Sequence, residues 1–187
     1  MADLAVGRIR WSNLITLSRL IAAPFFFCAL LGESTGTAFV LFWLAVLSDV
    51  ADGRLARARG EATVFGGLLD HATDASFVAL ALSALAMRGI VPGVLPALVL
   101  LAFVQYVLDS KSLAGHVLRA SALGRWNGIL YFVPPGIVVT RAMLGLDVPS
   151  DELVHLLGVA LSVSSGVSMA DRAWALLRGR RADDAEG

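Results

Sequence analysis

The chain has 187 residues, of which 57% are hydrophobic and 16% charged, where an ordinary soluble domain carries about 25% charged residues. With a mean hydropathy of +0.76, the composition points to lipid as the solvent and to a length of one domain. Fifteen basic and fifteen acidic residues cancel, so net charge says nothing about partners, among which no nucleic acid is expected; the one cysteine, Cys28, excludes an internal disulfide framework and a Cys-based metal site.

The first segment, Asp3 to Trp11, mixes Leu4, Val6, Ile9 and Trp11 with Arg8 and Arg10. It reads as a short amphipathic helix on the inner membrane surface or, equally, as a basic flank with an interfacial Trp. The apolar run that follows contains Arg19 and Pro24 and no clean small-residue cleavage site, so it is expected to be a retained membrane helix. Six apolar stretches follow in order, over 12–32, 36–56, 64–88, 90–110, 123–146 and 151–177. Each is close to the ~20 residues that a helix needs to cross the hydrocarbon core. Loop chemistry separates them, at Gly32-Glu33-Ser34, Arg59-Gly60-Glu61, Arg88-Gly89 and around Pro149. Lipid-exposed strands would leave backbone groups unpaired, so the expected fold is an all-α bundle of six transmembrane helices. It forms one membrane domain over 1–177, with a polar, disordered tail over 178–187.

Basic residues orient membrane helices toward the cytoplasm. With a cytoplasmic N-terminus, Arg8, Arg10, Arg19, Arg54, Arg57, Arg59, Lys111, Arg119, Arg125, Arg172, Arg178, Arg180 and Arg181 fall inside, and only Arg88 and Arg141 fall outside. Thirteen basic residues against two predict a multi-pass protein with both termini cytoplasmic.

The chemistry concentrates between Ser48 and Asp74. Asp49 and Asp52 are three residues apart, and Asp70 and Asp74 are four apart; on helices each spacing puts the pair on one face. The first pair ends the second apolar stretch and the second pair begins the third, so both reach one membrane depth at the cytoplasmic side. Four close carboxylates must be protonated, paired or metal-bound. Hard divalent cations such as Mg²⁺ or Mn²⁺ take oxygen ligands, and four Asp suit a site for two ions. A solvated loop paired with Arg54, Arg57 and Arg59 would leave Asp70 and Asp74 unexplained inside an apolar helix, where ionisable groups are functional by default. A transporter or ion pathway is a rival reading, but the acidic groups cluster at one end instead of crossing the membrane. An inactive structural protein is a second rival.

Asp49, Asp52, Gly53, Ala56, Arg57, Gly66, Asp70 and Asp74 match D-x2-D-G-x2-A-R-x8-G-x3-D-x3-D at every spacing. The chain thereby resembles the CDP-alcohol phosphatidyltransferases. The six-stretch layout is similar to that family's fold, and Asn13 to Arg19 looks like the opening of its first helix. The resemblance implies that an alcohol attacks CDP-diacylglycerol or a related CDP-lipid at the phosphorus next to the lipid, with release of CMP. It makes Asp49, Asp52, Asp70 and Asp74 the metal ligands and Asp74 also the base. Asp52, Gly53, Ala56, Arg57 and Gly66 would serve the nucleotide. A homodimer in a bacterial or archaeal-type cell membrane is implied as well.

The acceptor is less legible. Glycerol 3-phosphate, inositol phosphate, inositol, serine and a phosphatidylglycerol are the candidates. Family members acting on glycerol 3-phosphate often carry Pro after the third Asp and Lys after the fourth; here His71 and Ala75 stand there. Lys111, Arg119 and Arg125, with His116, are candidates for an acceptor anion pocket, although positive-inside topology alone explains basic residues there. His71 is expected on another helix face than the ligands. Asn127 is a pocket residue or a helix-packing polar group.

Overall fold

The computed structural model describes residues 11–58, 64–112 and 122–186. Every described element is helical: α1 (Trp11–Leu31), α2 (Thr35–Ala58), α3 (Val64–Met87), α4 (Leu95–Ser112), α5 (Ala122–Leu130), α6 (Val133–Leu144) and α7 (Asp151–Glu186). The segment from Asp3 to Arg10 lies outside the described residues.

The all-α expectation holds among these residues, with the boundaries moved where backbone chemistry demands it. The fourth stretch becomes helical at Leu95 rather than near residue 90, because Gly89 turns the chain at φ 75° and Pro92 has no amide hydrogen to donate. The fifth stretch divides. Pro134 stands in the first turn of α6 with Pro135 beside it, and two missing donors interrupt the hydrogen-bond ladder after Tyr131. Gly145 ends α6 in the left-handed region at φ 64°, where other residues are strained. Helix α7 continues to Glu186. Its Ala, Leu, Arg and Glu residues are good helix formers, and no Pro stops it.

Three helical stretches, Gly66–Met87, Leu123–Leu144 and Asp151–Ala175, are long and apolar enough to cross a membrane; Thr16–Leu31, Thr35–Ala51 and Leu95–Leu108 are shorter apolar helices. Large apolar side chains stand exposed on most of them, among them Phe25, Leu44, Leu101, Ile129 and Val163. A surface of this kind suits lipid better than water.

Helix α1 packs against both α2 and α3, and α3 packs on α4. The core at this junction is aromatic. Phe26 of α1 stacks on Phe77 of α3 with centroids 5.0 Å apart, and Phe42 of α2 lies 5.9 Å from Phe26. Phe77 follows Asp74 by about one helical turn and Phe26 follows Arg19 by about two, so these rings form an apolar floor beneath the polar end of α1, α2 and α3.

Helix α7 is fastened by small and polar residues. Tyr131 Oη and Ser165 Oγ share a 2.6 Å hydrogen bond, Ser164 Oγ donates to Asn127 Oδ1 at 2.7 Å, and Gln105 Nε2 donates to the Met169 carbonyl at 3.1 Å. Gly158 is buried, and a Cβ there would come within 2.7 Å of Pro92 Cδ and 3.3 Å of Val91 Cβ. The proline ring has little freedom to retreat. Gly158→Val is therefore expected to destabilise the protein by about 1–3 kcal/mol, the usual cost of overpacking. Thermal unfolding in detergent would show it, and an unchanged midpoint would mean that α7 does not press on Pro92.

Candidate active site

Asp49 lies in the last part of α2, and Asp70 and Asp74 in the first part of α3. The helices run in opposite directions through a short link, so the three carboxylates meet at one end. One oxygen from each lies within 4.8 Å of the others. The (i, i+4) spacing of Asp70 and Asp74 puts both on the face that α3 turns toward this junction. Gly66 lies one turn before Asp70. The side chains of Asp52, Arg54, Ala56, Arg57 and Lys111 fall outside the described residues, as do Arg59, His116 and Arg119 altogether. Gly53 is likewise placed only by the α2 backbone.

The centre of the cluster is Arg19 of α1. Its Nη1 donates to Asp49 Oδ1 at 2.7 Å and also to Asp74 Oδ1, and its Nη2 donates to Asp70 Oδ1 at 2.5 Å. The Arg19 side chain is 4% exposed, whereas those of Asp49, Asp70 and Asp74 are 41%, 36% and 24% exposed. The cation is sealed on the inner side and the carboxylates open toward the surface. In the sequence Arg19 bears on topology, on retention of the first helix and on the first-helix motif, and is not among the expected site residues. A signal is nevertheless present: Arg19 is the single charged residue in the stretch 12–32, and an ionisable group inside an apolar helix is functional by default, as at Asp70 and Asp74.

With the three carboxylates ionised, one guanidinium leaves two negative charges uncompensated. Three hard oxygen donors, partly open to the surface and short of two positive charges, fit a divalent cation such as Mg²⁺ or Mn²⁺.

A sequence profile of the CDP-alcohol phosphatidyltransferase family matches residues 10–164. The chain belongs to this family. Among its relatives, a probable phosphatidylglycerophosphate synthase of Mycobacterium tuberculosis is 30% identical over 185 residues, covering 89% of this chain and 84% of the relative. Over shorter stretches, a CMP-forming cardiolipin synthase of Streptomyces coelicolor is 35% identical, covering 43% of this chain and 40% of that protein. A CDP-diacylglycerol–glycerol-3-phosphate 3-phosphatidyltransferase of Wigglesworthia glossinidia brevipalpis is 36% identical, covering 40% and 43% respectively. This CDP-alcohol phosphatidyltransferase is accordingly a membrane transferase of phospholipid biosynthesis. The family match removes the transporter reading.

Other predicted residues of the phosphatidyltransferase separate from the cluster. His71 is exposed and meets the Tyr106 ring edge-on at 5.4 Å, which agrees with its expected position on another face. Asn127 is buried and bonded to Ser164, the helix-packing role. Arg125 is exposed on α5. At the opposite end of the bundle, a cavity of about 290 Å³ is bordered by Glu33, Arg88 and Arg141. Arg88 pairs with Glu33 at 3.0 Å, and Arg141 pairs with Asp151, so both arginines there are already neutralised.

Proposed function

We propose that this enzyme transfers the phosphatidyl group of CDP-diacylglycerol to glycerol 3-phosphate, releasing CMP. The observation that carries the reading is the convergence of Asp49, Asp70 and Asp74 within a chain of this family. The choice of acceptor is supported by the names of the mycobacterial and Wigglesworthia relatives. His71 and Ala75 depart from the pattern common in glycerol-phosphate enzymes, which keeps inositol phosphate and phosphatidylglycerol in the test.

In this reading Asp49, Asp52, Asp70 and Asp74 would hold Mg²⁺ or Mn²⁺, as a pair of ions. The bound ions would neutralise the pyrophosphate and stabilise charge on the departing CMP. The chain's own groups do the rest. Asp74 accepts the proton of the acceptor hydroxyl as its oxygen bonds to the phosphorus beside the lipid. The bond from that phosphorus to the bridging oxygen breaks, and CMP leaves with the electron pair. Gly53 and Ala56 leave room for the cytidine, Gly66 keeps α3 close to it, and Arg57 supports the phosphates. Lys111, Arg119 and Arg125 supply cations for the acceptor's phosphate.

The same reading places six spans in the membrane, both termini in the cytoplasm and the carboxylates at the cytoplasmic face, on the strength of the basic-residue asymmetry. A reporter fused after Gly187 is then expected in the cytoplasm and one inserted near Pro149 outside; the reverse pattern would overturn the topology. A homodimer rests on the family resemblance alone. Gly158, Ser164 and Ser165, small residues that favour close helix approach, serve contacts within the chain and lend the dimer no support.

The acceptor is tested by offering purified enzyme CDP-diacylglycerol with glycerol 3-phosphate, inositol phosphate, inositol, serine or phosphatidylglycerol, and identifying the lipid product by mass spectrometry. Phosphatidylglycerophosphate should dominate. A dominant product from another acceptor would replace glycerol 3-phosphate while leaving the reaction class intact.

A further inference from the structure

Arg19 reaches from α1 to carboxylates on two other helices, 30, 51 and 55 residues away in sequence. A flanking arginine that merely marked the cytoplasmic side would carry its head group out to water. Arg19 instead lies almost wholly buried, and its Nε has no hydrogen-bond partner among the described residues. Its contacts run through Oδ1 of Asp49, Asp70 and Asp74, three groups that a divalent cation would also require. Two cations drawn to one small set of oxygens compete for lone pairs and repel each other.

We propose that Arg19 is a built-in counter-cation of the carboxylate cluster, which holds the three acids together without metal and sets how weakly a divalent cation is bound. The proposal rests on the metal-site reading given above. Arg19 is thus a positioning residue. Its removal leaves three carboxylates facing one another with nothing to offset their repulsion, so the metal-free protein loses stability. The same removal deepens the negative potential, so a divalent cation binds more tightly. Because a ligand stabilises the state that binds it, the lost stability should return when the cation is added.

The test is Mn²⁺ binding, followed by electron paramagnetic resonance on the full chain in nanodiscs, together with thermal unfolding in EDTA and in Mn²⁺. Arg19→Gln should bind Mn²⁺ about tenfold more tightly or better, melt lower than wild type in EDTA and recover in Mn²⁺. A merely structural role would lower stability without tightening Mn²⁺ binding. If Arg19→Gln cannot be recovered folded, Arg19→Lys decides. Its shorter side chain and single ammonium cannot reproduce the forked contacts, so it should bind Mn²⁺ more tightly than wild type by a smaller factor. Wild type that binds Mn²⁺ as tightly as the variants, or more tightly, would overturn the counter-cation role and leave the metal site standing. Absence of Mn²⁺ binding in wild type and variants alike would overturn the metal reading and the inference with it.

Discussion

Asp74→Asn is expected to lower turnover by about 10²- to 10⁴-fold, the usual contribution of a general base, while metal and nucleotide binding change only modestly. An Asn carbonyl can still offer an oxygen where the carboxylate did, but the amide has no useful basicity at neutral pH. Asp49→Asn should behave differently, weakening binding of the metal and of CDP together. Loss of activity alone would not separate these roles, since every carboxylate of the cluster contributes charge. Calorimetry of Mn²⁺ and CDP binding, set beside single-turnover CMP release, does separate them. Near-normal turnover of Asp74→Asn at saturating metal would assign the base to another group.

Chelation is expected to have the largest effect of all. EDTA should abolish CMP release, and Mg²⁺ or Mn²⁺ added in excess should restore it. The expectation follows from the donor set: Asp49, Asp70 and Asp74 bring three carboxylates together against the single guanidinium of Arg19. The anionic pyrophosphate of the substrate would be repelled from such a site unless additional positive charge were present. Full activity in EDTA would contradict metal dependence, whichever residues were thought to bind the ion.

Much of the site is legible in the sequence because it is local. Asp70 and Asp74 share a helix turn, Asp49 precedes them by a short link, and helical periodicity is enough to place all three at one end. Arg19 is not legible as part of the cluster because its partners lie on other helices, and tertiary packing alone decides which charged groups meet. The helices themselves follow from apolar length, but their interruptions do not. The division at Pro134 and the late start of α4 at Leu95 depend on which amide donors are missing, a detail that hydropathy does not record. The small residues of α7 show the same limit. Gly158 and Ser165 signal close approach without saying to what, and the answer is the turn at Pro92 and the Tyr131 hydroxyl.

Phosphatidyl transfer is proposed to take place at the Asp49, Asp70 and Asp74 cluster. Its most direct test is a paired assay of wild type and Asp70→Asn in vesicles containing CDP-diacylglycerol, with glycerol 3-phosphate and Mn²⁺ supplied and both CMP and lipid product measured. Wild type should form CMP and phosphatidylglycerophosphate in equal amounts, and Asp70→Asn, folded and inserted normally, almost none of either. Undiminished product from Asp70→Asn, or no CMP from wild type with any alcohol in the panel, would contradict it.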